Sequence, residues 1–137
     1  MARLARSVAT LRFIGDNLVP EEISSVLGCT PTRAHRKGDR VPIKDSERVV
    51  GFGLWRLDAT DTEPEDVDSQ VAEILAKLTS NLEVWSALGK QFRVELFCGW
   101  FMDEGNQGLS ISPGNLIALG VRGIELQLDI YAPSADA

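Results

Sequence analysis

Cysteine is scarce in this chain: Cys29 and Cys98 are the only two, far apart and without C-x-x-C spacing. We therefore expect no disulfide framework and no metal site, and we interpret both residues as reduced, partly buried thiols. Long apolar runs are also lacking, and none approaches the roughly 18 residues that a membrane-spanning helix needs. Arg12 interrupts the apolar N-terminal stretch before it reaches the length of a secretory signal. These absences predict a cytoplasmic protein with no membrane association and no cofactor.

Histidine is scarcer still, because His35 is the only one. Any histidine-based catalysis would have to use it, and no serine or cysteine is visibly paired with it. The GFG at 51–53 lacks the rest of a dinucleotide fingerprint, and NQGLSISPGN (106–115) lacks the GK[ST] of a phosphate-binding loop. No catalytic set is therefore predicted. An enzyme that uses a carboxylate or the cations described next stays open as an alternative.

Charge is unevenly distributed along a chain whose formal net charge is −6. Residues 33–48 carry six bases against three acids, whereas residues 49–137 carry five bases against fourteen acids. The basic excess could supply about three phosphate contacts, whereas non-specific nucleic-acid binders use roughly 6–10. The acidic remainder would also repel a polyanion at long range. No nucleic-acid partner is therefore predicted.

Strands are indicated by alternating apolar and polar residues and by β-branched or aromatic runs. They are predicted at 8–15, 49–59, 91–101 and 124–131, with a brief strand at 32–36. Residues 37–39 are typical of a turn, and 41–48 is predicted to be an exposed loop. The clean alternation in the last strand means that one side of the sheet faces water there, which favours an antiparallel or mixed sheet.

A long amphipathic helix is predicted in the middle of the chain. Its apolar side chains recur at 3.6-residue spacing over 67–85, and Thr62 and Glu65 before it have capping-box spacing. The polar segment 79–81 is a point at which the helix can bend. Gly89 is its predicted end.

Two shorter helices, at 20–27 and 113–119, are indicated by proline in the first turn and glycine after the last. The order of elements predicts an α+β fold in one domain over 1–137, with an ordered core at about 8–131. We expect a two-layer sandwich with a mainly antiparallel or mixed sheet of four to six strands and three helices. The similar patterns around the two short helices leave ferredoxin-like βαβ halves as an option.

Several short motifs stand in a fixed order along the chain: GDNLVPEEISSVLGCTPT (15–32), RKGD (36–39), GLW (53–55), GLSISP (108–113) and LDIY (128–131). In that order and spacing, from Leu11 to Tyr131, the chain resembles the bacterial domain-of-unknown-function family 4279. The resemblance implies a compact bacterial α+β domain that usually stands alone and has no established activity. One departure is His35, whose position is often aromatic in the family, and this weakens any stacking role carried over to it.

The basic segment TRAHRKGDR (32–40) supplies the candidate site. Two arginines can make forked contacts to phosphate or carboxylate, and Gly38 lets backbone amides approach an anion. The alternative is a solvated loop whose cations are partly paired with nearby acids. Our leading hypothesis is a non-enzymatic binding or interaction module that contacts an acidic protein partner or a small anion. The candidate residues are Arg33, His35, Arg36, Lys37 and Arg40.

The acidic segment 58–68 supports a hypothesis of a different class. It holds six acids and no base. Such a run can mimic nucleic acid or block a basic active site. The chain would then be an immunity-type protein that neutralises a toxin.

Overall fold

The computed structural model describes residues 2–134. The α+β class is confirmed, with seven strands and four helices in this part of the chain. In chain order the elements are β1 (Arg6–Gly15), α1 (Pro20–Leu27), β2 (Arg33–His35), β3 (Arg40–Ile43), β4 (Ser46–Val49), β5 (Gly53–Asp58), α2 (Val67–Ala76), α3 (Leu82–Gln91), β6 (Arg93–Phe101), α4 (Pro113–Val121) and β7 (Glu125–Tyr131).

Five strands form a mixed sheet in the order β2-β5-β1-β6-β7, and β3 and β4 form a separate hairpin. The central strand β1 pairs antiparallel with β5 and β6, while β6 and β7 run parallel and are joined through α4. The β1-α1-β2 and β6-α4-β7 halves both join parallel strands, but they differ because β5 lies between β1 and β2, whereas β6 and β7 are neighbours. A mixed sheet was one of the two predicted options, and it is the one found.

The helices cover one face of the sheet. Alternate residues of β1 are buried against them, and Phe13 lies at the centre, 5.5 Å from the ring of Trp55 and 5.9 Å from that of Trp85. The indole N–H of Trp55 donates to Ser24 of α1, and that of Trp85 donates to the carbonyl of Thr79. Each buried indole thus keeps a hydrogen-bond partner while its ring fills the core. In the described part of the chain, no helix is long and apolar enough to span a bilayer.

The prediction of three helices is wrong, because the expected long helix is two helices, α2 and α3. The break falls at the polar segment 79–81, where only a bend was predicted. Asn81 caps α3 by accepting a hydrogen bond from the amide of Glu83, which starts a new helix at a point where apolar spacing alone continues. Gly89, the predicted end, lies inside α3.

The start of α2 also differs from the capping-box prediction. Its cap is Asp66, whose carboxylate accepts from the amide of Ser69. The hydroxyl of Thr62 instead accepts from the amide of Asp66, and Glu65 accepts from the amide of Val67. The two predicted residues therefore position the chain before the cap.

The predicted loop at 41–48 is in fact the β3–β4 hairpin, in which Arg40 is paired with Val49 and Ile43 with Ser46. The turn between the strands uses Asp45 at a φ of 60°, a conformation that aspartate tolerates better than most residues. Val49, the first residue of the strand predicted at 49–59, belongs to β4 of the hairpin, and β5 begins only at Gly53.

Candidate functional site

Three of the five predicted site residues form exposed ion pairs. They are Arg36 with Glu21 at 3.0 Å, Lys37 with Asp16 at 3.2 Å, and Arg40 with Glu47 at 3.7 Å. The three acids lie on three different segments: α1, the loop before it, and β4. Exposed pairs of this kind contribute about 0–1 kcal/mol each. Because these three side chains point to acids on different segments, the structure does not bring all five predicted residues to one place.

The other two predicted residues, Arg33 and His35, lie on the edge strand β2 and line a groove between the sheet and the β3–β4 hairpin. We call this space, of about 560 Å³, the hairpin groove. Its lining residues come from β2, the hairpin and β5 with the segment before it. They are Arg33, Ala34, His35, Val41, Pro42, Ile43, Arg48, Val50, Phe52, Leu54 and Arg56.

The turn after β2 holds the hairpin beside the sheet. Gly38 adopts a φ of 90°, which favours glycine, and its amide donates to the carbonyl of Val50 at 2.9 Å. The amide of Val50 donates back to the carbonyl of Asp39. The carboxylate of Asp39 accepts from the amide of Arg36 and closes the turn. The RKGD motif (36–39) is thus the turn that holds the hairpin beside β2, and the side chains of Arg36 and Lys37 form ion pairs at the surface.

Three arginines stand side by side on the open face of the sheet, the face without helices. In the strand register, Arg33 is paired with Arg56, and Arg56 is paired with Arg12. Like charges placed directly opposite destabilise a sheet unless they are compensated. Asp58 pairs with Arg56 at 2.9 Å, and Glu95 pairs with Arg12.

Arg33 and Arg48 remain uncompensated. Within residues 2–134, neither has a carboxylate within ion-pair distance. Both line the hairpin groove together with Arg56, and the lining contains no acid. The groove is therefore a concave surface with an excess of positive charge, in a chain whose formal net charge is −6.

The rest of the groove is mostly apolar. Phe52 and His35 meet edge to face, with ring centroids 5.6 Å apart. The Nδ1 atom of His35 is buried and has no hydrogen-bond partner in the described chain. Ile43 and Leu54 add aliphatic surface. A wall of this kind suits the uncharged part of an organic ligand, while the arginines suit its anionic group.

Comparison with known proteins identifies a family for the chain. The family model described as Domain of unknown function (DUF4279) matches residues 5–133. The chain belongs to this family. No curated protein and no solved structure gives a significant match. The match confirms the resemblance found in the sequence, and it spans the whole sheet and the hairpin, so the groove is part of the DUF4279 domain.

Most lining residues of the DUF4279 groove are absent from the predicted site, among them Arg48, Phe52 and Arg56. Arg48 belongs to the segment 41–48, which the sequence predicts to be a loop. Arg56 lies on the polar side of β5, between the buried residues Trp55 and Leu57, so the alternation of that strand did place it on the open face. The alternation does not show that β5 pairs with β2, and this pairing places Arg56 beside Arg33.

The acidic side chains of the segment 58–68 of this DUF4279 domain contact other residues of the same chain. Its residues bind arginines, cap α2 or hold α4, and the hydrogen bonds from Asn115 and Ser112 keep the pKa of Asp68 below its ordinary value. The partners are Arg56 for Asp58, Arg6 for Asp61 and Glu63, Arg3 for Glu65, Ser69 for Asp66, and Ser112 and Asn115 for Asp68. Each of the six carboxylates therefore has a partner within the described chain, while Asp61 and Glu63 stay 53% and 74% exposed.

Proposed function

We propose that this DUF4279 chain is a non-enzymatic binding module of the bacterial cytoplasm, a two-layer sandwich whose hairpin groove holds a small organic anion. One observation carries the proposal: Arg33 and Arg48 have no counter-charge in the described chain and share a concave groove with Arg56. The proposal narrows the predicted site to Arg33 and His35. Arg36, Lys37 and Arg40 become surface residues around it.

The energetic basis is the row of like charges. Arg33 stands directly opposite Arg56 in the register. Asp58 compensates the charge of Arg56, but Arg33 has no carboxylate of its own, so part of the repulsion between the two arginines remains. A guanidinium can make two parallel hydrogen bonds to one phosphate or carboxylate. Hydrogen bonds to a charged group contribute about 1.5–3 kcal/mol each. An oxyanion that bridges two arginines therefore gains attraction and also relieves repulsion.

The shape of the groove favours a small ligand over an acidic protein surface. Small-molecule sites are concave and mostly apolar with a few polar groups, in cavities of about 300–1,000 Å³. At about 560 Å³ and with Phe52, Ile43 and Leu54 in its wall, the hairpin groove fits that description. We therefore infer a ligand with one oxyanionic group and an apolar or aromatic body.

The first experiment compares two probes by isothermal titration calorimetry: inorganic phosphate and phenyl phosphate. We expect phenyl phosphate to bind with the lower Kd, because its ring adds contact with the apolar wall while its charged group is similar. If neither probe binds at concentrations up to about 10 mM, equivalent to a free energy weaker than about −3 kcal/mol, the proposal is wrong.

The second experiment compares two double variants that remove the same charge. R33Q/R48Q removes the uncompensated groove arginines, and R36Q/R40Q removes two arginines that are paired at the surface. We expect R33Q/R48Q to raise the Kd for phenyl phosphate about tenfold or more, the equivalent of one lost charge-assisted contact. The R36Q/R40Q control should change it less than about threefold, through long-range charge alone. Equal losses in the two variants would mean that net charge, and not the groove, binds the anion.

A third variant should improve binding. Asp58 pairs with Arg56 and competes with any anion for its guanidinium. D58N keeps the shape of the side chain and removes the charge, so we expect a lower Kd for phenyl phosphate. An unchanged or higher Kd would show that Arg56 does not contact the ligand.

The proposal does not extend to toxin neutralisation. That hypothesis depends on an acidic surface available to a partner, and no observation favours it, since the carboxylates of 58–68 already have partners within the chain.

A further inference from the structure

Large apolar side chains are exposed together on α4 and β7, at the opposite edge of the sheet from the hairpin groove. They are between 43% and 64% exposed, whereas the apolar residues of the core are at most 8% exposed. The residues are Leu116, Ile117, Val121, Leu128 and Ile130.

The helix α4 has the composition of a buried helix. Its sequence, PGNLIALGV, contains no charged residue, yet Leu119 is its one buried residue. A surface helix normally carries polar side chains on the face turned to solvent, and a helix that is apolar all round is normally enclosed. The solvent side of α4 is therefore suited to contact with another protein surface.

The strand β7 offers a free edge for pairing. It ends the sheet, next to β6 alone. The amide of Met102 donates to the carbonyl of Tyr131, so the backbone groups of Tyr131 face β6. Because these groups alternate in direction along a parallel strand, those of Leu126, Leu128 and Ile130 face outward. Monomeric proteins usually protect such an edge with charged side chains, above all lysine, with proline or with a bulge. β7 contains no lysine or proline, and its charges are those of Glu125 and Asp129.

We propose that this edge binds a second copy of the chain: β7 pairs antiparallel with β7 of the partner about a two-fold axis, and the two α4 helices pack together beside it. The occupant follows from the register in which β7 can pair with itself, because that register keeps its two acids apart. When Leu128 is opposite its own copy, all seven residues of β7 are paired. Leu126 then faces Ile130 on the helix side, and no charged residue faces a like charge on the open side.

The open side of that register places Glu125 opposite Tyr131 and Gln127 opposite Asp129. Both pairs join a neutral side chain to a carboxylate, and within each chain Tyr131 already donates to Asp129 and Gln127 to Glu125. Moving the two-fold axis by one residue in either direction pairs Glu125 with Asp129 or Asp129 with itself. Like charges directly opposite destabilise a sheet, so these shifted registers are disfavoured. The strand is thus self-complementary in the register that also pairs all of its length.

The first test measures molecular mass by sedimentation equilibrium over a range of concentrations. We expect a dimer of the 15.0 kDa chain and a monomer for I117E, which places charge on a side chain that is 64% exposed and not part of the core. V26E is the matched control, because Val26 on α1 is also exposed and lies outside this surface. It should remain dimeric, and far-UV circular dichroism checks that both variants are folded. A wild-type chain that stays monomeric up to about 1 mM, the limit of weak association, overturns the proposal and leaves the surface to a different protein.

The second test reads the register with two variants at one position. Gln127 is opposite Asp129 of the partner in the proposed register, and the symmetry makes this contact twice. Q127K should therefore lower the dimer Kd about threefold or more and Q127E should raise it by a similar factor, from cross-strand pair energies of about 0.2–1 kcal/mol. A higher Kd for Q127K, as when Gln127 faces itself, would overturn the register. Equal Kd values for both variants would overturn edge pairing through β7.

Discussion

Replacing Arg12 with methionine would leave the carboxylate of Glu95 with much less compensation. Glu95 lies on β6, directly opposite Arg12 of β1, and its side chain is 1% exposed. Its second partner is Arg93, whose Nε lies 3.1 Å away on a side chain that is 57% exposed. The guanidinium of Arg12 also lies over the ring of Phe97, 4.5 Å from its centre. Glu95 is therefore a buried charge held mainly by one half-buried arginine.

The expected loss for R12M is about 2–4 kcal/mol of unfolding free energy. Removing one partner of a buried ion pair typically costs about 3–5 kcal/mol, because the remaining charge keeps its desolvation penalty. The value here is lower because Arg93 and the solvent around it still provide some compensation. Methionine retains the length and the apolar contact of the arginine stem against Phe97, so little of the loss comes from packing.

The double variant R12M/E95L separates the charge effect from the packing effect. It removes both charges and leaves two apolar side chains on neighbouring strands, an exchange that is often neutral or stabilising in other proteins. We expect it to recover most of the stability lost in R12M. Urea unfolding followed by circular dichroism gives both values, since the free energy depends linearly on urea. If R12M costs less than about 1 kcal/mol, or if R12M/E95L is as unstable as R12M, Glu95 is not a buried charge that depends on Arg12.

Three further predictions concern other parts of the fold. A methyl group at Gly53 would lie 2.5 Å from a backbone oxygen of β1, so G53A should lower the urea midpoint and cost about 1–3 kcal/mol, whereas G51A, which meets nothing within 4 Å, should be nearly neutral. Burial raises the pKa of Cys98 to about 12, so in the native protein a thiol-reactive dye at pH 8 should label Cys29 but not Cys98, and labelling of both before denaturation would contradict this burial. Hydrogen bonds from α4 and its cap lower the pKa of Asp68. Asp68 therefore adds to the free energy of unfolding above about pH 4, and this stabilisation is lost as the pH falls through the lowered pKa. D68N should therefore flatten the fall of the urea midpoint in acid, and an unchanged pH profile would show that Asp68 does not hold α4.

The elements that could be predicted from the sequence are those whose signals are local. Proline in the first turn and Gly28 at a φ of 74° define α1 within a few residues. The alternation of β1 gives its buried face directly. The division of the central helix was not predicted because apolar spacing continues across it, while α3 is started and held by contacts of single side chains such as Asn81. The indole of Trp85 that donates to the carbonyl of Thr79 is one of these contacts.

The candidate site could be predicted only in part, because charge counts along a chain do not show pairing. Arg33 and Arg36 are equivalent in the sequence, but Arg36 reaches Glu21 and Arg33 reaches no acid in the described chain. The β3–β4 hairpin was missed since Pro42 interrupts its first strand and its second strand is exposed on both sides, so neither strand has the alternation of a half-buried one. The groove exists only where that hairpin stands beside β2.

The two proposed surfaces lie at opposite edges of the sheet, and this makes them separable. Antiparallel pairing of β7 with its copy would create a sheet of ten strands in which the open faces lie on the same side and the β2 strands lie at the two ends. With strands about 4.8 Å apart, the two hairpin grooves would be about 40 Å from each other, which is beyond the reach of a small anion. Each chain should therefore bind its ligand independently, with one ligand per chain and no cooperativity. R33Q/R48Q should leave the dimer intact, and I117E should leave the ligand Kd unchanged, so the failure of one proposal would not be mistaken for the failure of the other.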